Sequence, residues 1–170
     1  MSLFQTLTPS RMDRETFVTV FGDIYEHSPW VPERAFDQTI TLPDTVDELH
    51  ACLSAQVQAA SHDEQLVLIR AHPDLAGRAA LAGELTHAST SEQAVAGLDQ
   101  CTPDELARFT ACNERYKARF GFPFIMAVKG SNRHQILAAF EERIHNEPEQ
   151  EFARALAEIN KIALFRLQAM

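Results

Sequence analysis

Apolar positions recur at helical spacing along most of the 170-residue chain. Phe17, Val20, Phe21 and Ile24 stand three or four apart and predict a helix over Arg14 to Glu26. Val46, Leu49, Leu53 and Val57 share a face and predict a second over Val46 to Ala60. A short third runs from Asp63 to Arg70. It stops before His72, because Pro73 disfavours the helical conformation at the preceding residue. A short helix is expected across Leu75 to Gly83, and another from Ser89 to about Leu98. Thr102-Pro103-Asp104-Glu105 is a helix start, with a capping threonine, proline at the first helical position and acids in the first turn. That helix carries Leu106, Phe109, Tyr116 and Phe120 on one side. Asn132 opens a helix bearing Ile136, Leu137, Phe140 and Ile144, which Asn146-Glu147-Pro148 ends. A last helix runs from about Pro148 to Leu167. Two stretches depart from this pattern. His27-Ser28-Pro29-Trp30-Val31-Pro32 reads as a break. Gly121 to Gly130 is short, apolar and glycine-bounded, and suits either a buried strand or an extended connector. The expectation is an all-α fold, a single-domain bundle of about eight helices over residues 1–170.

Composition agrees with one globular domain. Hydrophobic residues make up 45% of the chain, enough for a core and too many for disorder. The formal net charge of -9 argues against broad binding to a nucleic-acid backbone, though one local basic pocket remains compatible with it. The three cysteines, Cys52, Cys101 and Cys112, lie far apart in predicted helical segments. They form no CxxC pair, so neither a zinc ribbon nor a disulfide framework is indicated, and reduced thiols in a cytoplasm are expected. Met1-Ser2-Leu3-Phe4 does not begin a secretory signal, and no apolar run reaches transmembrane length. Leu167-Gln168-Ala169-Met170 is not a peroxisomal Ser-Lys-Leu address. A cytoplasmic protein with no membrane partner is expected.

Four features bear on chemistry. On the last helix, at about 100° per residue, Ala155, Leu156, Ile159, Ile162 and Ala163 form one apolar arc, with Arg166 near its middle. A charge facing a core needs a partner. Arg166 is therefore either half of a structural salt bridge or an arginine aimed at an anionic ligand. His72 sits at a proline-stiffened break, where its imidazole is either a loop residue or a fixed proton carrier. Asp74 beside it suits a cap for the following helix. Ser89-Thr90-Ser91-Glu92 matches a capping box, in which Ser89 caps and Glu92 reaches back to the Ser89 amide. Alternatively that helix start, with Gln93, presents a hydroxyl, a carboxylate and a carboxamide to a ligand. Metal-ligand spacing is weak: no HExxH occurs, and a mixed site from His72, Asp74, Glu84 and His87 is the best available. No glycine-rich phosphate loop or GxSxG elbow is present.

Taken in order, five motifs give the chain its resemblance to a known family. They are His72-Pro73-Asp74-Leu75; Ser89-x-x-Glu92-Gln93-x-x-Ala96-Gly97-Leu98; Phe122-Pro123-Phe124-Ile125; Asn132-Arg133-x-x-Ile136-Leu137-x-x-Phe140-x-x-Arg143; and Glu158-Ile159-x-Lys161-Ile162-x-x-x-Arg166-Leu167. In this the chain resembles the 2-oxo-4-hydroxy-4-carboxy-5-ureidoimidazoline (OHCU) decarboxylases of urate breakdown. The resemblance implies a cofactor-independent, metal-free, all-α homodimer that decarboxylates this small molecule to (S)-allantoin. It implies that His72 is the catalytic acid/base and that Glu92 shares the catalytic centre. Pro73, Ser89, Glu92, Gln93, Phe124, Ile125, Met126, Ala127, Val128 and Arg166 are then the substrate contacts. Some relatives carry a fused 5-hydroxyisourate hydrolase domain, for which this chain has no room. Two alternatives stand beside it: a metal-dependent small-molecule hydrolase using His72, Asp74 and His87, and a non-catalytic helical dimerisation module.

Overall fold

The computed structural model describes residues 3–77 and 85–170. Among these residues stand eight α-helices: α1 (Arg14–Phe21), α2 (Trp30–Gln38), α3 (Val46–Ala59), α4 (His62–Arg70), α5 (His87–Val95), α6 (Pro103–Phe120), α7 (Arg133–Arg143) and α8 (Pro148–Gln168). Two 3-10 turns, Pro9–Arg11 and Leu98–Gln100, complete the list. The described residues contain no sheet, only an isolated bridge between Leu3 and Thr45. The all-α expectation is met.

Local chemistry explains most boundaries. Thr45 caps α3 through the Glu48 amide. Capping boxes open α4 (Ser61 with Glu64), α6 (Thr102 with Glu105) and α7 (Asn132 with Gln135), each satisfying two backbone donors reciprocally. Gly121 ends α6 in the left-handed conformation, with φ 78°. Three expectations change. Helix α1 stops at Phe21 rather than Glu26. Helix α2 was read as a break, yet Pro29 is its N-cap and Pro32 lies in its first turn. Proline is tolerated there, because first-turn N–H groups have no intrahelical acceptor. Of the helix expected over Leu75 to Gly83, residues 75–77 form turn and irregular backbone, and the remainder lies outside the described residues. Of the two alternatives left open for the apolar stretch, Phe122 to Val128 takes the connector, without regular structure.

The described chain divides into two compact units. The first comprises Met1–Ala71 with Asn160–Met170. In it α2 packs on both α1 and α3. Phe17, Phe21, Val31, Ala35, Leu49, Leu53, Val57, Leu68 and Ile69 are wholly buried. Asn160 is a polar tie inside this unit: its Oδ1 accepts from the Tyr25 hydroxyl at 2.7 Å, and its carbonyl lies 2.7 Å from His50 Nε2. The second unit comprises His72–Ile159. There α6 packs on α7, and the Tyr116 ring meets Phe122, Phe124 and Phe140 edge-on. Phe124 stacks on Phe140 with centroids 3.8 Å apart. This aromatic cluster fixes the floor under the connector.

Candidate active site

In the second unit the His72 to Gly77 turn is held from two helices. His72 is 8% exposed, and Leu75, Ala76 and Gly77 are also buried. From α5, Gln93 Oε1 accepts the Ala76 N–H at 3.0 Å, and its Nε2 lies 3.5 Å from the Asp74 carbonyl. From α6, Asn113 Nδ2 donates to the Leu75 carbonyl at 3.0 Å, and Lys117 Nζ donates to Asp74 Oδ2 at 2.6 Å. Ala76 holds a φ of 51°, a left-handed conformation costly for a residue with a Cβ. A Cβ at Gly77 would lie 2.6 Å from Asp74 Cβ, so the turn closes only with glycine there. The imidazole thus leaves a backbone anchored at three successive residues. Asp74, expected as a helix cap, is engaged with Lys117.

The capping-box reading of Ser89 and Glu92 is overturned. Thr86 is the N-cap of α5, and its hydroxyl accepts the Ser89 N–H at 3.2 Å. Ser89 is therefore a first-turn residue with a buried side chain, and Glu92 lies one turn further in, too far along to close a box. Ser89, Gln93 and Ala96 form the buried stripe of this helix, with half-buried Glu92 at its edge. Ser89 is accordingly buried without being the cap. Gln93, expected at the substrate, has both ends of its amide on the His72 turn.

The connector is held by two buried charges. Arg143 of α7 donates from Nη1 to the Ile125 carbonyl at 2.7 Å and from Nε to Glu151 Oε1 at 2.9 Å. Its guanidinium lies 4.3 Å from the centre of the Phe124 ring, a cation–π contact. Glu151 also accepts from the Tyr116 hydroxyl at 2.6 Å and from Asn146 Nδ2 at 3.0 Å. Burial, and then the bond to Glu151, push the Tyr116 hydroxyl well above the usual phenol range. Glu158 Oε1 accepts the Ala127 N–H at 3.3 Å, so that amide already has an acceptor. Phe124, Ile125 and Val128 are buried, while Met126 and Ala127 retain partial exposure.

Arg166 belongs to the first unit, where it has partners. Nη2 lies 2.9 Å from Glu26 Oε2, and Nη1 donates to the Asp23 and Ile24 carbonyls at 3.3 Å each. Both side chains are buried, so the salt-bridge alternative describes what is seen. The other candidates, His72, Pro73, Ser89, Glu92, Gln93 and Phe124 to Val128, all lie in the second unit. Cys52 and Cys112 are half-buried helical residues as expected. Cys101 instead follows the second 3-10 turn as its C-cap. Burial raises all three thiols. Among the described residues no three His, Cys, Asp or Glu side chains are grouped to hold a metal ion. Glu84, named in the metal alternative, lies outside them.

Asn113, Lys117, Glu26 and Glu151 were not singled out from the sequence. Asn113 left a signal, since it interrupts the apolar stripe Phe109, Asn113, Tyr116 of α6. Glu151 left one too, four residues before Ala155 on the buried arc of α8.

A family model described as OHCU decarboxylase matches residues 10–168. The chain belongs to the OHCU decarboxylase family. Two archaeal relatives are named 2-oxo-4-hydroxy-4-carboxy-5-ureidoimidazoline decarboxylase. The one from Haloferax volcanii is 46% identical over 158 residues, covering 93% of this chain and 90% of the relative. The one from Halalkalicoccus jeotgali is 42% identical, covering 95% of this chain and 88% of the relative. Among solved structures, a crystal structure of (S)-allantoin synthase superposes with a TM-score of 0.75 at 34% identity, covering 93% of this chain and 50% of that one. The match spans the His72 to Gly77 turn that Gln93 and Asn113 anchor.

Proposed function

We propose that this chain decarboxylates 2-oxo-4-hydroxy-4-carboxy-5-ureidoimidazoline to (S)-allantoin in urate degradation, with His72 as the proton carrier. The immobilised His72 turn carries this reading. Its imidazole leaves a buried backbone whose neighbouring carbonyls and amide are bonded to Gln93 and Asn113. A proton carrier must meet its carbon at a fixed angle, and such anchoring supplies that.

The chemistry follows from the substrate. The carbon bearing the carboxylate and hydroxyl adjoins a C=N bond. When the C–C bond to the carboxylate breaks, CO2 leaves and its electron pair moves into that imine. No pyridoxal or thiamine electron sink is needed, so the reaction runs without a cofactor. The imine nitrogen takes up one proton as that pair arrives; the hydroxyl proton then leaves as the ring carbonyl forms, and a proton reaches one face of the carbon carrying the ureido group. His72 performs these transfers. Glu92, half-buried and not part of a capping box, grips the ureido and ring N–H groups beside it. Ser89, Pro73 and the Phe124 to Val128 connector line the remaining surface. Gln93 acts mainly by holding the turn. Arg166 is implied as a substrate contact by the resemblance, while within the first unit its charge is paired with Glu26.

Residues 1–170 function as one decarboxylase domain, as a homodimer in the cytoplasm. Among the described residues no helix is long and apolar enough to cross a membrane. The test mixes the chain with freshly generated substrate and follows (S)-allantoin by circular dichroism. Wild type is expected to give one enantiomer faster than spontaneous decay, and His72→Asn to lose about 10²- to 10⁴-fold in kcat. Unchanged racemic decay with wild type would discard the function, and full activity in His72→Asn would discard the proton carrier.

A further inference from the structure

We infer that Arg143 and Glu158 are positioning residues that set the backbone of the Phe124 to Val128 connector for the reaction; this rests on the decarboxylase reading above. The two anchor successive parts of the segment from different helices and with opposite charge. Arg143 binds the Ile125 carbonyl at 2.7 Å, and Glu158 binds the Ala127 amide at 3.3 Å. Between and at these anchors lie Met126 and Ala127, the partly exposed residues of an otherwise buried stretch.

A charge is a costly way to secure one carbonyl in a core. Burying an ion pair commonly breaks even at best against apolar packing. Arg143 is 3% exposed and Glu158 also 3%. The Arg143 fork is directed on three sides: Nε toward Glu151, Nη1 toward Ile125, the flat face over Phe124. Among the described residues its Nη2 is a buried donor with no hydrogen-bond partner. A core built only for stability would not leave such a group, whereas a device for placing one peptide plane tolerates it. Lysine cannot copy the arrangement, because its ammonium lacks the planar fork and the stacking face. Glu151 in turn is oriented by Tyr116 and Asn146, so the arginine has one accessible pose. A connector without secondary structure has no ladder to set its peptide planes, and these side chains do that instead.

The experiment measures kcat, KM and the urea midpoint for Arg143→Lys, Glu158→Gln and Glu158→Ala in the full chain. Glutamine keeps an acceptor for the Ala127 amide and alanine does not. Misplacement of reacting groups by about 1 Å costs about 10²-fold. Arg143→Lys and Glu158→Ala are therefore expected to lose at least about 10-fold in kcat at 25 °C, where they remain folded, while KM moves less. Glu158→Gln is expected to recover most of the kcat lost in Glu158→Ala. If Arg143→Lys fails to fold, the glutamine-against-alanine pair at Glu158 decides alone. Wild-type kcat in Glu158→Ala, or activity that only tracks the folded fraction across all variants, would overturn the positioning role. Absence of turnover in wild type would instead remove the decarboxylase reading.

Discussion

Removing Arg166 should unfold the protein more than it disables it chemically. The guanidinium is 8% exposed and faces the Glu26 carboxylate, itself 1% exposed, at 2.9 Å. It also donates to the Asp23 and Ile24 carbonyls. Arg166→Met keeps most of the aliphatic stem and deletes all three bonds. Deleting one partner of a buried pair costs about 3–5 kcal/mol, a large share of a typical total of roughly 5–15. With a urea slope of about 2 kcal/mol/M, the midpoint should fall by about 1.5–2.5 M. Glu26→Gln in the same chain removes the buried charge that the single change strands. The double variant should recover part of that loss, because the stranded carboxylate is gone while the Asp23 and Ile24 carbonyls still lack the guanidinium. The assay is equilibrium urea unfolding of wild type, both singles and the double, with kcat/KM read on the folded fraction. A wild-type midpoint in Arg166→Met, or a double variant no more stable than that single, would refute the reasoning. Activity lost in the double at restored stability would isolate the contribution of Arg166 to substrate binding.

Three other outcomes are expected. Gln93→Ala strips the acceptor from the buried Ala76 N–H, so stability should fall by about 1–3 kcal/mol, with kcat reduced more than KM is raised; a pure KM effect would return Gln93 to direct substrate contact. Gly77→Ala should force the turn open, because its new Cβ would meet Asp74 Cβ at 2.6 Å, and hydrogen exchange at the Ala76 amide should speed up; unaltered exchange and activity would contradict this. Acid should weaken the fold in a window set by two carboxylates. Arg34 and the Ser61 amide lower Glu64 to about 2, and the Thr102 amide and Arg133 lower Glu105 to about 2. Folded values below the unfolded ones make these contributions complete above about pH 4.5 and lost as pH falls toward 2. Urea midpoints measured from pH 7 downward should drop through that window, less steeply in Glu64→Gln or Glu105→Gln; identical slopes would exclude those groups.

The sequence by itself determined the helical class and most helix starts. Its signals for these are local: apolar spacing, Thr102-Pro103, the helix-opening Asn132, and the conformational limit Pro73 places on His72. It also determined the family, through motifs in a fixed order. Helix α2 was hidden because prolines announce a break, while position within the first turn is what decides their effect. The Ser89 capping box placed the cap at the wrong residue, since Thr86 caps this helix three positions before Ser89. What only the tertiary structure decided is where polar side chains spend their bonds. No spacing rule links Gln93 to Ala76, Asn113 to Leu75, Arg143 to Ile125 or Arg166 to Glu26. These pairs lie far apart in the chain and meet because burial leaves each polar atom needing a partner within reach, and packing alone selects which one is near.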